Sequence, residues 1–230
     1  MTVKRALIFA AGLGKRMQPL TESTPKPLLE VAGKSLIHYH IEKLVGCGIS
    51  ELVINTHWLA NKLVEELGDG HQFGARIHWS YEPNILDTGG GMRNALPLLE
   101  NENDEAFLVV NADVWTDYPL SQLVDIELTA ETAHLVMVPN PDQHPEGDFG
   151  LDSQGRLDNT TLPGRTYSGI GLFTPGFIRR FGPDRPAFPL REALQAAIAC
   201  GKVTAELYQG DWEDVGTPER LDELNARVNN

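Results

Sequence analysis

Cysteine is nearly missing from this chain: Cys47 and Cys200 are the only two in 230 residues, and their spacing fits no metal site. They read as core or helix-surface thiols, and so few of them fits a reducing, cytoplasmic compartment. Positive charge is also scarce. Lys and Arg total 19 against 32 Asp and Glu, a net charge of −13. Such a surface opposes a nucleic-acid partner, because that affinity comes largely from neutralising phosphates. No stretch approaches the 18 or so apolar residues of a membrane helix, so no membrane partner is expected. Lys4-Arg5 followed by Ala6 to Ala11 mimics the start of a signal peptide, but Gly12, Lys15 and Arg16 interrupt it at once. What remains is a globular composition, 41% hydrophobic, long enough for one large α/β domain over residues 1–230.

Two familiar phosphate loops are missing as well. Gly14-Lys15 is followed by Arg16 where a P-loop needs Ser or Thr, and Met17 stands where a dinucleotide fingerprint needs its third glycine. The stretch Ala10-Ala11-Gly12-Leu13-Gly14-Lys15-Arg16 nevertheless follows a buried strand, Ala6 to Phe9. A strand that ends in small residues turns backbone N–H groups outward, and such a nest suits phosphate oxygens. A tight strand-to-helix turn would use the same glycines. Arg16 and Pro25-Lys26-Pro27 add two cations close by, one with its backbone restricted between prolines.

Along the chain, Ser35 caps a predicted helix through Val45, and Glu51 to Asn55 is a strand. A helix spans Leu59 to Leu67, and Arg76 to Glu82 alternates as a strand. Leu86-Asp87-Thr88-Gly89-Gly90-Gly91 opens a helix to about Leu99; its glycines suit a flexible turn or a close approach to the backbone. Ala106 to Val110 reads as a central parallel strand. Asn111 and Asp113 stand at its carboxyl end, where α/β sheets bind ligands; capping a following helix is the lesser alternative for Asp113. A helix over Leu120 to Leu128 and a strand over Ala133 to Val138 follow. Residues 139–166 have the texture of a small β-rich insertion containing Asp148 and Gly150, with Asp148 suited to a turn or to a ligand hydroxyl. Tyr167 to Phe173 rejoins the sheet. Helices over Pro175 to Phe181 and Pro189 to Ala199, a strand over Val203 to Tyr208, and a helix capped by Thr217 with Pro218 first complete the chain.

The loop Ala10 to Arg16 together with Pro25-Lys26-Pro27 resembles the signature of the sugar-1-phosphate nucleotidylyltransferases, over the chain from Arg5 to about Val228. Lys15 stands where many members carry Ser or Thr. The resemblance implies a Rossmann-like three-layer α/β/α fold with a mostly parallel central sheet and a small β-rich insertion. It implies UTP and a sugar 1-phosphate as substrates, with a UDP-sugar and pyrophosphate as products. It also implies Mg²⁺ held by Asp113 and Asp214. Arg16 and Lys26 join those acids as catalytic residues, and Ala11, Gly12, Leu13, Gly14, Lys15, Glu82, Gly89 and Gly90 complete the nucleotide site. Glu82 falls where the base edge is read, and its carboxylate could accept the imide N3–H of uracil. Asn111, Asp148 and Gly150 would face the sugar. For an acidic sugar substituent the sequence offers Arg93, Arg165 and Arg191 without choosing among them. Glucose, mannose or phosphocholine acceptors with other triphosphates remain alternatives, as does a non-catalytic nucleotide-sensing module. No hexapeptide repeat is present, so no attached acetyltransferase module is expected.

Overall fold

The computed structural model describes residues 3–100 and 105–228. In chain order the strands are β1 (Arg5–Phe9), β2 (Glu30–Val31), β3 (Lys34–Ser35), β4 (Glu51–Thr56), β5 (Arg76–Tyr81), β6 (Phe107–Asn111), β7 (Val114–Thr116), β8 (Ala133–Val138), β9 (Gly150–Leu151), β10 (Leu157–Asp158), β11 (Thr166–Phe173), β12 (Val203–Leu207) and β13 (Trp212–Asp214). The helices are α1 (Leu20–Ser23), α2 (Leu36–Gly46), α3 (Ala60–Leu67), α4 (Asp87–Leu99), α5 (Ser121–Val124), α6 (Pro175–Phe181), α7 (Leu190–Ala199) and α8 (Pro218–Val228).

Seven strands form one sheet in the order β12-β8-β11-β6-β1-β4-β5. Only β11 runs antiparallel to its neighbours; the other pairings are parallel. Successive strand residues point to opposite faces. Leu7, Val53 and Val109 therefore enter one core with Met92, Phe177 and Leu194 from α4, α6 and α7. Their neighbours Ile8, Ile54 and Val110 enter the other core with Ile41 and Leu63 from α2 and α3. This is the expected α/β/α layering. Each fully buried aliphatic side chain of this kind is worth about 1.5–3 kcal/mol.

Two features position the site. First, β1 pairs in parallel with both β4 and β6, with Phe9 opposite Asn55 and Asn111. The carboxyl ends of three strands therefore lie side by side. Second, a smaller core of Met17, Leu36, Val215, Leu221 and Leu224 ties the N-terminal loop to α8. That contact brings the end of the chain back beside its beginning.

Some local expectations change. Ser35 occupies the cap position of α2, but its buried hydroxyl has no hydrogen-bond partner and makes no cap bond. The helix expected over Leu120 to Leu128 is a single turn, Ser121–Val124. The insertion holds two-residue strands, β9 and β10, with two further bridges, Phe149 to Arg165 and Arg156 to Thr204.

Candidate active site

A cavity of about 220 Å³ opens at the carboxyl ends of β1, β4 and β6. Ala10, Ala11, Gly12, Lys26, Asp113, Asp87 and Thr88 are among the residues that line it. Ala10 N–H donates to Asn55 Oδ1 at 2.7 Å. Among the described residues, the N–H groups of Ala11 to Arg16 have no hydrogen-bond partner. None of residues 11–16 is buried, so these donors are open to solvent or to a ligand, and a run of them suits the oxygens of a phosphate chain. Gly14 adopts φ +62°, a left-handed turn that starts the short 3-10 helix Lys15–Met17. The cavity lining stops at Gly12: Leu13, Gly14, Lys15 and Arg16 lie beyond it, with Lys15 and Arg16 exposed.

The two acids converge. Lys26 is buried, and its Nζ lies 2.6 Å from Asp113 Oδ2 and 4.0 Å from Asp214 Oδ1. Asp113 occupies the turn between β6 and β7 and caps no helix. The β7–β13 ribbon sets the spacing of the acids: Asp214 pairs with Val114, and Val215 N–H donates to Asp113 O at 3.0 Å. Buried His40 donates from Nε2 to Val114 O at 2.8 Å. Burial lowers its pKa from 6.5 to about 4, so the ring is neutral at pH 7. Lys43, also on α2, donates to Thr116 O.

Arg220 completes the cluster, although it was not among the sequence candidates. Its Nη1 donates to Asp214 O at 2.7 Å and to Asp214 Oδ2 at 3.1 Å. The sequence signal for it was the Thr217-Pro218 helix start, which places Arg220 in the first turn of α8, six residues after Asp214. Thr217 Oγ1 accepts the Arg220 N–H at 3.4 Å.

Glu82 directly follows β5. It borders the cavity but is only 1% exposed. Its Oε1 accepts Asn55 Nδ2–H at 2.7 Å and its Oε2 accepts Leu86 N–H at 3.1 Å. Burial pushes its carboxyl pKa up, against the opposing effect of the Asn55 bond. Glu82 therefore braces β4 against the approach to α4 while it borders the cavity.

Gly89 and Gly90 pack against a later part of the chain. Both donate their N–H to Phe188 O, at 2.9 and 3.1 Å. A Cβ on Gly89 would lie 2.3 Å from the Phe188 ring, and one on Gly90 2.2 Å from Pro186 O. The close approach these glycines permit is to the 186–188 segment of the protein itself. The cavity instead meets Asp87 and Thr88.

A second chamber of about 160 Å³ adjoins the first and shares Phe9, Thr88 and Asn111 with it. Asn111, expected to face the sugar, thus stands between the two. Asp148 lines this chamber, but its oxygens are engaged. Oδ1 accepts Arg191 Nη1–H at 2.9 Å, and Oδ2 accepts the Tyr167 N–H at 2.9 Å. Gly150 lines neither chamber; Asp158 and Thr161 occupy the space its side chain would take.

A strand-end nest of free amides beside a lysine and two convergent acids is the equipment of a protein that handles nucleotide phosphates. A model of the nucleotidyl transferase family matches residues 5–230, and the chain belongs to that family. It is 41% identical over 228 residues to the N-acetylmuramate alpha-1-phosphate uridylyltransferase of Neisseria meningitidis serogroup B, covering 96% of this chain and 97% of that one. Mannose-1-phosphate guanyltransferase beta-A of Xenopus laevis is 29% identical over 94% of this chain, which spans 62% of that relative's length. A Bacillus anthracis crystal structure assigned as a glucose-1-phosphate thymidylyltransferase superposes with a TM-score of 0.83 over 97% of this chain and 94% of that one. At 20% identity that likeness shows the fold. Among the described residues no helix is long and apolar enough to cross a membrane.

Proposed function

We propose that this protein transfers the uridylyl group of UTP to a sugar 1-phosphate, N-acetylmuramate α-1-phosphate foremost, and releases pyrophosphate. The relative of 41% identity, matched over nearly its full length, supports the choice of sugar and base. The observation that carries the chemistry is the placement of Lys26 between Asp113 and Asp214, beside the unpaired amides of the loop. The UDP-linked sugar so formed would return a cell-wall component to biosynthesis.

A phosphate oxygen of the sugar 1-phosphate attacks the α-phosphorus of UTP. The new P–O bond forms as the bond to the β-phosphate breaks, and pyrophosphate carries away the electron pair. No general base is required, because a phosphate monoester with a second pKa near about 6 is already mostly dianionic at pH 7. The difficulty is bringing polyanions together, so positioning and electrostatic stabilisation carry the rate. The loop amides hold non-bridging oxygens. Lys26 neutralises the α-phosphate or the attacking phosphate, and Arg16, exposed on the same loop beyond the cavity, meets the departing β,γ-phosphates. Asn111 orients the sugar at the passage between the chambers.

The donor set fits a hard divalent cation: two carboxylates converge, and the cationic Lys26 is drawn between them. Asp113 and Asp214 would hold Mg²⁺, with Arg220 fixing the orientation of Asp214. When bound, the ion would offset charge on the reacting phosphates.

Steady-state pyrophosphate release tests this with UTP, dTTP, GTP and CTP against N-acetylmuramate, glucose and mannose 1-phosphates. The expected best pair is UTP with the muramyl phosphate. Asp113→Ala is expected to lower kcat with that pair by at least about a hundredfold. Near-normal turnover would remove Asp113 from the mechanism, and a different best pair would replace the substrate assignment.

A further inference from the structure

We propose that Arg191 is the receptor for a carboxylate carried on the sugar, and that Asp148 is its positioning residue. This rests on the uridylyltransferase reading above and adds the feature that selects the sugar. Of the three arginines the sequence offered, the fold spends two elsewhere. Arg93 donates to Arg185 O and stacks over the Phe188 ring, 4.6 Å from its centroid. Arg165 lines a different cavity, with Leu151, Asp152 and Leu207. Arg191, in the first turn of α7, lines the chamber that continues from the phosphate cavity through Asn111. It is the one cation in that lining among the described residues.

Its guanidinium is held in place. Nη1 donates to Asp148 Oδ1 at 2.9 Å, Nη2 donates to Asp148 O at 3.3 Å, and the group lies 5.6 Å from the Phe149 ring centroid. A guanidinium has five N–H donors, and those two bonds leave three. The side chain is half exposed, so the remaining donors are open to a ligand. Asp148 does not consume the cation alone, because its charge is shared with the Tyr167 N–H and with His144 Nε2 at 3.3 Å. Tyr167 also lines the chamber, and its enclosed hydroxyl has no partner among the described residues. A planar fork suits a carboxylate, which accepts on both oxygens. A sugar bearing only a hydroxyl there would leave the fork unmatched, and a site built for a hydrogen-bonding group discriminates against ligands that lack it.

The test compares the α-1-phosphates of N-acetylmuramate and N-acetylglucosamine, which differ in the lactyl ether, with UTP and Mg²⁺. Wild-type protein is measured beside Arg191→Met and Arg191→Lys. Arg191→Met is expected to lower the muramyl-over-glucosaminyl ratio of kcat/KM by about 10- to 100-fold, mainly through KM for the muramyl substrate. Arg191→Lys is expected to recover part of that ratio, and urea midpoints should stay close to wild type. An unchanged ratio, or an equal fall on both sugars, overturns the assignment while leaving the uridylyltransferase reading intact. A wild-type protein inactive on the muramyl phosphate contradicts that reading itself and takes the role of Arg191 with it.

Discussion

Replacing Lys26 with methionine separates what this side chain does for the fold from what it does for phosphates. Its ammonium sits 2.6 Å from Asp113 and 4.0 Å from Asp214, whose side chains are 38% and 29% exposed. Breaking a fully buried pair costs about 3–5 kcal/mol, because a charge is left without solvent or partner. Here water reaches both acids, and Arg220 still meets Asp214 at 3.1 Å. Solvent screening therefore reduces the cost to about 1–2 kcal/mol. Methionine keeps most of the buried stem, so little packing is lost. Turnover has no such substitute. Removing one preorganised charge at the reacting phosphates should lower kcat by about 10²–10³, or about 2.7–4 kcal/mol. Urea unfolding gives the first number and pyrophosphate release under saturating substrates gives the second. Lys26→Met protein destabilised by more than about 4 kcal/mol, with normal turnover per folded molecule, would refute the assignment and make Lys26 a structural strut.

Two further outcomes follow from the surrounding framework. His40 has a folded pKa of about 4 against 6.5 in the unfolded chain, so the unfolded state takes up its proton first as the pH falls. The stability it contributes is complete above pH 6.5 and is lost between 6.5 and 4, about 3 kcal/mol in all. Between pH 7.5 and 5, His40→Gln should lose about 2 kcal/mol less stability than wild type in urea titrations; parallel losses would contradict this. Gly90→Ala would press a methyl against Pro186 O and should destabilise the protein by about 1–3 kcal/mol in thermal melts. An unchanged melt with a raised KM for UTP would contradict this and place the nucleotide against that helix start.

The loop Ala10 to Arg16 was legible because a strand, its exit and the cations that follow are contiguous in sequence. Asp113 was legible for a related reason: an acid at the end of an all-apolar strand has few structural uses. The meeting of Lys26 with Asp113 depends on parallel register, Phe9 beside Asn111, which the apolar runs of β1 and β6 already suggest. What stayed hidden depends on partners far along the chain. Gly89 and Gly90 are small because of Phe188 and Pro186, roughly a hundred residues later. Glu82 is spent on Asn55, and Asp148 on Arg191, 43 positions away. Nothing local in the sequence distinguishes a carboxylate that awaits a ligand from one already matched. The helix expected over Leu120 to Leu128 shows the same limit: Ile126 and Leu128 join the α2-side core from irregular chain after Val124.

The most direct test is a crystal structure with a non-hydrolysable UTP analogue and Mg²⁺. The triphosphate should lie along the amides of Ala11 to Arg16, with its α-phosphate beside Lys26 and the ion between Asp113 and Asp214. A triphosphate lodged away from that loop, or the two acids separated with no ion between them, would contradict the proposed chemistry.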